Sequence, residues 1–492
     1  MKPIINMKKE RALVLVTVLI GLLSVSQGDV YEVRTAQDLM KLFEGVSGTT
    51  LTSHVVLLSD LDFSASGLTL PLGASSNGNC VAFSGVFEGN GHSIKNLAMD
   101  NKNNGGYKNA GLFCSLKNAT VENLVIDSSC SLTGEATGAL SVSVDGSLTV
   151  KHTTNNAAVN GTGYTGTGGF IGAIEYIEER IKVTFEDCAN NGDIAGDKRV
   201  GGFVGEIDIN TDLTMIISNC VNNGNITGND DYVGGFVGRI MSNPSMNITI
   251  SNSTNNGNAT GSHSYVGGFV GYIDSNPNMN ITILNTVNNG ITFVSGNYAG
   301  GFVGLIEDNS DMSMTISNFI NNGIITGNGG GIGGFVGVIA GNTNMTIVIS
   351  NSINNGNITA TDGYAGGFVG TSEENPNMII NISNSINNGN VTGGDYIGGF
   401  MGNIYTSEES PSVTLSITNS ANKGSVSSKQ GAACGFFYID PEGAMDVNAT
   451  MKNSINKGNV NAGTNGYGIT NNITMARNVV SMGDVTGSSG SF

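Results

Sequence analysis

Tryptophan is absent, histidine occurs only four times, and just 12% of the 492 residues carry charge. Low charge beside 73 glycines is compatible with disorder, but apolar residues recur here in fixed columns, which disordered segments lack. Basic residues are scarce: 21 Lys and Arg against 39 Asp and Glu leave a formal net charge of −18. That balance disfavours nucleic acid and anionic membranes as partners. No repeat holds ten residues of helical periodicity, which excludes a helical solenoid. No long hydrophobic run follows residue 23, and residues 487–492 carry no anchor signal. Six cysteines fit an oxidising compartment but are too few for a disulfide-dense scaffold.

What is present is repetition. In residues 231–257 a Gly234-Gly235-Phe236-Val237-Gly238 segment is followed by Asn252-Ser253-Thr254-Asn255-Asn256-Gly257. The Phe recurs at Phe170, Phe203, Phe236, Phe269, Phe302, Phe335, Phe368, Phe400 and Phe436, with spacings of 33 six times, then 32, then 36. Fixed self-similarity of this length is the mark of a solenoid. Three stretches per unit, such as 225–227, 232–240 and 247–253, are β-branched or aromatic and bounded by Gly, Asn, Asp or Pro. They predict an all-β, right-handed parallel β-helix with three strands per turn of about 33 residues, the handedness following the general bias of parallel crossovers. Stacked at the ordinary strand spacing, its 12 or 13 turns would extend roughly 60 Å.

Period-2 alternation then assigns faces. Ile207, Ile240, Ile273, Ile306, Ile339 and Ile404, broken by Ser372, form an apolar column, which places it and the Phe column inside. Glu206, Arg239, Tyr272, Leu305, Val338, Thr371 and Asn403 form a mixed column, expected outside. The same parity turns Val204, Val237, Val270, Val303, Val336 and Val369 outward, an apolar stripe suited to a partner or to self-association. Asn219, Asn252, Asn285, Asn318, Asn351, Asn384, Asn419, Asn453 and Asn478 stand five residues before each closing Gly, where Asn can stack, satisfy bend backbone and tolerate a left-handed conformation. Asp187 opens that series.

Residues 1–28 read as a signal peptide: a basic n-region, an apolar run over 12–23 and small residues for cleavage. Its removal would take the net charge from −18 to −21 and leave no membrane span. Residues 29–150 read as an N-terminal cap with the first irregular turns, and 151–492 as the regular repeats. Val30–Val33 predicts a first strand, and Thr35 with Asp38 has capping-box spacing for a short helix reaching about residue 44. Such a helix would cover the open end of the solenoid.

The segment Phe83-Ser84-Gly85-Val86-Phe87-Glu88-Gly89-Asn90-Gly91-His92, then Ala110-Gly111-Leu112-Phe113, Glu122-Asn123-Leu124-Val125-Ile126 and the serial Gly-Gly-Phe-Val-Gly repeats resemble the GLUG-motif repeat proteins, over nearly the whole chain after residue 29. The resemblance implies a secreted or surface β-helix used as a stalk or binding surface, sometimes attached to IgA-cleaving metallopeptidases. None of His54, His92, His152 or His263 begins the His-Glu-x-x-His pattern that such a zinc enzyme needs.

Candidate sites follow from these columns. Cys188 and Cys220 lie at equivalent positions of adjacent turns, within reach of a disulfide. Cys80, Cys114 and Cys130 could supply another pair, and Cys434 would stay free. Of 13 Asn-x-Ser/Thr sequons, Asn118, Asn225, Asn258, Asn357 and Asn390 suit exposed glycosylated turns, whereas Asn252 belongs to the expected ladder. Acidic loops recur at 206–212, 274–277, 307–311, 373–376 and 408–411. The loop Asp208-Ile209-Asn210-Thr211-Asp212 matches the first oxygens of a calcium loop but lacks its Gly and distant Glu. A glycosidase or lyase needs converging carboxylates, and the strands hold almost no acid or base, with Arg239 solitary. The expectation is a non-catalytic, cofactor-free secreted or cell-surface protein binding a host or self surface protein or glycan, with edge-to-edge self-association at an open C-terminal end. The alternative is a carbohydrate-active enzyme using the acidic loops.

Overall fold

The computed structural model describes residues 30–46, 48–103, 106–407, 412–441 and 447–487. The expected signal peptide and the acidic loop at 408–411 lie outside them. The chain is a parallel β-solenoid of about 12 turns with almost no helix. Its strands stack in sheets of 25, 14, 13 and 11, all running parallel from turn to turn. The register repeats the sequence period: Val204 pairs with Val237, Val237 with Val270, and Val270 with Val303.

Each regular turn contains five short strands rather than three. One turn runs Val204–Asp208, Leu213–Ser218, Val221–Asn222, Ile226–Gly228 and Val233–Gly234. The expected stretch 232–240 is broken at Gly235–Phe236, because the chain bends there between Val233–Gly234 and Val237–Met241. A Cβ on Gly235 would collide with the Gly268 carbonyl and lie 2.8 Å from Asn255 Oδ1, so only glycine lets this bend fold against the interior.

The bend also resets the parity. Phe236 and Val237 are consecutive, yet both point into the core, as do Val204, Val270, Val303, Val336 and Val369. The Val stripe is therefore core and offers no surface to a partner. Phenylalanines stack on each other along the axis, with centroids 4.6 Å apart for Phe203–Phe236 and for Phe368–Phe400.

At the N-terminal end, Val30–Val33 pairs with Thr50–Leu57, and the helix Ala36–Lys41 follows Thr35 in a complete capping box with Asp38. Leu39 is buried, and Leu42 and Phe43 pack on the core.

The disulfide joins Cys80 to Cys114, with Cα atoms 6.0 Å apart. Cys188 and Cys220 are unbonded. They stack in register, so their Cβ vectors run parallel instead of converging as a bridge requires. Each thiol caps a carbonyl two residues back, Cys188 on Glu186 at 3.3 Å and Cys220 on Ser218 at 3.2 Å. Ser253, Ser352 and Ser385 make the same bond one to five turns on. These cysteines thus occupy a serine-like structural position.

Candidate functional site

Asparagine builds four ladders, and burial separates them. Asn155, Asn190, Asn222, Asn255, Asn288, Asn321, Asn354, Asn387, Asn422 and Asn456 are fully buried. Each from Asn155 to Asn422 passes its amide to the next carbonyl oxygen at 2.8–2.9 Å, as in Asn222 to Asn255 and Asn255 to Asn288, and Asn456 ends the ladder on the Ser481 hydroxyl. The second amide proton goes to the carbonyl two residues on, Ala157 for Asn155 and Gly for the rest, as in Asn255 to Gly257 at 2.9 Å. A second buried ladder, Asn210, Asn243, Asn276, Asn309, Asn342 and Asn375, runs through the acidic loops. Asn210 is fully buried and its Oδ1 accepts from the Ile177 N–H at 3.2 Å, so the Asp208–Asp212 loop does not offer that oxygen to calcium.

The Asn219–Asn478 column lies at the surface in the left-handed conformation, with φ of 48–55° throughout. Parts of it form a ladder, including Asn318 to Asn285 at 2.8 Å and Asn478 to Asn453 at 2.9 Å. A fourth exposed ladder links Asn191, Asn223, Asn256 and their successors. Asn118, Asn225, Asn258, Asn357 and Asn390 are exposed.

The mixed column expected outside is on the outer face, but it is covered. The bend at Gly-Gly-Phe folds two columns of side chains against each other, making a re-entrant groove along the solenoid that these side chains fill. One wall carries the residues preceding the Val233 column: Arg199, Tyr232, Tyr265, Tyr298, Gly331, Tyr364 and Tyr396. The facing wall carries Glu206, Arg239, Tyr272, Leu305, Val338, Thr371 and Asn403, all at least nine-tenths buried. The walls touch where Tyr272, Leu305 and Val338 form a separate apolar cluster with Tyr232, Tyr265 and Tyr298. Tyr232 stacks on Tyr265 at 5.3 Å, and Tyr396 on Tyr438 at 4.3 Å.

Charge sits at two places in the groove. The first is an ionic node. Glu206 is fully buried and paired with Arg239 and, at 2.7 Å, with Arg199. Arg239 also holds Asp208 at 2.6 Å and lies 5.7 Å from the Tyr232 ring centroid. Arg239 is therefore not solitary. Burial raises Asp208 above its ordinary range despite that pairing. Burial, then the hydrogen bond and charge of Glu206, push Glu175 up to about 8.

The second is an acidic cleft of about 260 Å³ lined by Glu307, Asp308, Ala340, Gly341, Glu373, Glu374 and Tyr405. Tyr272 donates to Glu307 at 2.7 Å, and Thr371 to Glu373 at 3.1 Å. Burial raises Glu373, against the Thr371 hydrogen bond and with the neighbouring Glu374 charge. Two of the acidic loops, 307–311 and 373–376, thus meet across an intervening turn. The tyrosines stand four residues before five of the Phe positions, a regularity present in the sequence but meaningless until the bend turns them toward Leu305.

Among the described residues no group of three or more His, Cys, Asp or Glu is arranged to hold a metal ion, and no helix is long and apolar enough to cross a membrane.

The architecture defines the chain as a parallel β-solenoid with a side groove. No family model matches it, and no curated protein matches it either. Among solved structures it is similar to a crystal structure from Bacteroides ovatus named a "putative immunoglobulin A1 protease", at 17% identity and a TM-score of 0.37, over 59% of this chain and 77% of that one.

Proposed function

We propose that this is a non-catalytic, extracellular or cell-surface binding protein of the GLUG-motif type, and that the half-buried tyrosine row along its side groove contacts an extended ligand such as a surface glycan. The observation that carries this reading is the pair of facing columns, aromatic on one wall and mixed on the other, held in register over successive turns. A regular backbone spacing with non-identical side chains suits recognition of a linear ligand. The disulfide and the acidic surface accord with an oxidising, extracellular setting. The exposed sequon residues would carry glycans in a eukaryotic secretory route.

One observation favours the enzymatic alternative: Glu175, Glu206 and Asp208 converge with two arginines in the groove. Yet Glu206 is fully buried and engaged by both arginines, which suits charge compensation within the fold better than attack on a substrate.

The test is a binding screen of the full chain against glycans and matrix proteins, with a degradation assay on the same panel. Saturable binding without product, weakened at least tenfold by Tyr265→Ala with Tyr298→Ala, is the expected result. Release of reducing or unsaturated ends that stops in Glu175→Gln would replace this reading with the enzymatic one.

A further inference from the structure

We propose that the exposed asparagine ladder protects its Asn-Gly pairs from spontaneous deamidation, and that the chain is modified instead at Asn77, in the turn that leads to the disulfide.

Asparagine is chemically labile, and most so before glycine, where no Cβ shields the following nitrogen. The Gly nitrogen gives its proton to hydroxide and attacks Asn Cγ. The Cγ–Nδ2 bond breaks, ammonia leaves with a proton from water, and a succinimide ring remains. Water then opens the ring to aspartate, or to isoaspartate, which carries one extra carbon in the backbone. The reaction needs a Gly N–H that solvent reaches, an Asn side chain that can swing onto that nitrogen, and an Nδ2 free to leave.

Six stacked pairs meet none of these conditions. Asn223, Asn256, Asn289, Asn322, Asn355 and Asn388 lie at the surface, each followed by a buried glycine. Each gives its Nδ2 to the Oδ1 of the ladder residue on the turn before, at 2.8 Å. Each following Gly N–H donates to the backbone carbonyl of an inner-ladder asparagine at 3.2–3.3 Å, as from Gly257 to Asn222. Freeing that nitrogen means parting two turns of a continuous stack, an opening close to global unfolding. Water can replace the outer-ladder bonds at little cost in stability, so what this ladder adds is chemical persistence.

The turn at Asn77 is built the other way. Ala74 pairs with Cys80, and residues 76–79 between them are exposed. The Gly78 N–H donates to the Ser75 carbonyl of the same turn at 3.0 Å, so a local opening is enough to free it. Beyond its chain neighbours no atom stands within 4 Å of where a Gly78 Cβ would be, which leaves room for the ring. The Ser75 hydroxyl and the Asn79 N–H approach Asn77 Oδ1 at 2.5 and 3.4 Å, where negative charge develops as Cγ is attacked. Among the described residues every hydrogen bond to the Asn77 side chain is received by Oδ1, so Nδ2 is free to leave. Isoaspartate at this position lengthens the loop just before Cys80, which the disulfide holds to Cys114.

Asn191 separates the ladder from the glycine bond. Its Nδ2 donates to Asn156 at 2.8 Å, but among the described residues the Gly192 N–H meets no backbone acceptor, the preceding turn closing on Ala157 instead of glycine.

The test is peptide mapping by mass spectrometry of the full chain aged in mildly alkaline buffer, reading conversion to aspartate and isoaspartate at each Asn-Gly pair. The expected result is conversion at Asn77 at least tenfold faster than at the six stacked pairs, with Asn191 as slow as they are. In urea, where every turn is open, the stacked pairs should convert as fast as Asn77. Asn256→Ala removes the acceptor of Asn289 and should speed conversion at Asn289 severalfold at an unchanged urea midpoint. Equal rates at Asn77 and the stacked pairs in native buffer would overturn the inference. Conversion of Asn191 as fast as Asn77, or an unchanged rate at Asn289 in Asn256→Ala, would overturn the part given to the ladder. An Asn77 that stays unmodified in native buffer while converting in urea would overturn the assignment of the site.

Discussion

Adjacent asparagines in one turn do different work. Asn288 is buried, accepts from Asn255 at 2.9 Å and donates to Asn321 at 2.8 Å. Asn289 is exposed and donates to Asn256 at 2.8 Å. Removing the first strands a donor and an acceptor in the core, whereas water replaces the second. Asn288→Ala should therefore destabilise the chain by about 3 kcal/mol, and Asn289→Ala by under about 0.5 kcal/mol, in urea denaturation. Equal effects would deny the buried ladder its role. Glu175 supplies a pH prediction. Its folded pKa is raised to about 8, so the folded state keeps a proton that the unfolded chain has already released above the ordinary carboxylate range. The native state then binds more protons, and stability falls as pH rises between about 4.5 and about 8. Thermal denaturation of Glu175→Gln should show a smaller decline across that window than the wild type.

At the scale of the strand and bend, the Gly-Gly-Phe-Val-Gly segment decides what faces where. Gly268 sits against the Gly301 carbonyl, and a Cβ there would lie 2.8 Å from Asn288 Oδ1. Gly268→Ala should cost about 3 kcal/mol or more, because neither the backbone nor the ladder can yield. A loss under about 1 kcal/mol, read by urea denaturation, would mean that the bend is not close-packed. This segment also marks the limit of what the chain reveals before folding. The period, the parallel stacking and the inward Phe and Ile columns follow from spacing and alternation alone. Strict alternation failed at Phe236–Val237, because a bend places two consecutive side chains inside. The error carried the Val stripe to the wrong face and hid the groove, since Tyr232, Tyr265 and Tyr298 become a wall only when the chain folds back there. The second buried ladder was masked likewise: Asn276 and Asn375 sit among acidic and proline residues that read as solvated loop. The Cys188–Cys220 expectation failed on direction rather than distance.

At the scale of the whole molecule, charge is unevenly distributed. The stretch between Arg239 and Lys423 carries ten carboxylates and one histidine but no lysine or arginine. Its self-repulsion is exposed to solvent along most of its length and is screened within about 10 Å at 0.1 M salt. The melting temperature should therefore rise by several degrees between low ionic strength and 0.15 M sodium chloride. A fall would indicate that attractive surface pairs outweigh the repulsion. The N-terminal turns join the same continuous sheets as the regular repeats, so the groove is part of one stacked body. Its walls change composition from turn to turn while its backbone does not, and that combination makes it the place where this solenoid can be selective. The most direct test is hydroxyl-radical footprinting of the full chain with and without the ligand found in the screen. Protection should concentrate on Tyr232, Tyr265, Tyr298, Tyr364 and Tyr396. Unchanged oxidation of these tyrosines, with protection instead at exposed Tyr164, Tyr176 or Phe293, would place binding elsewhere and contradict the account.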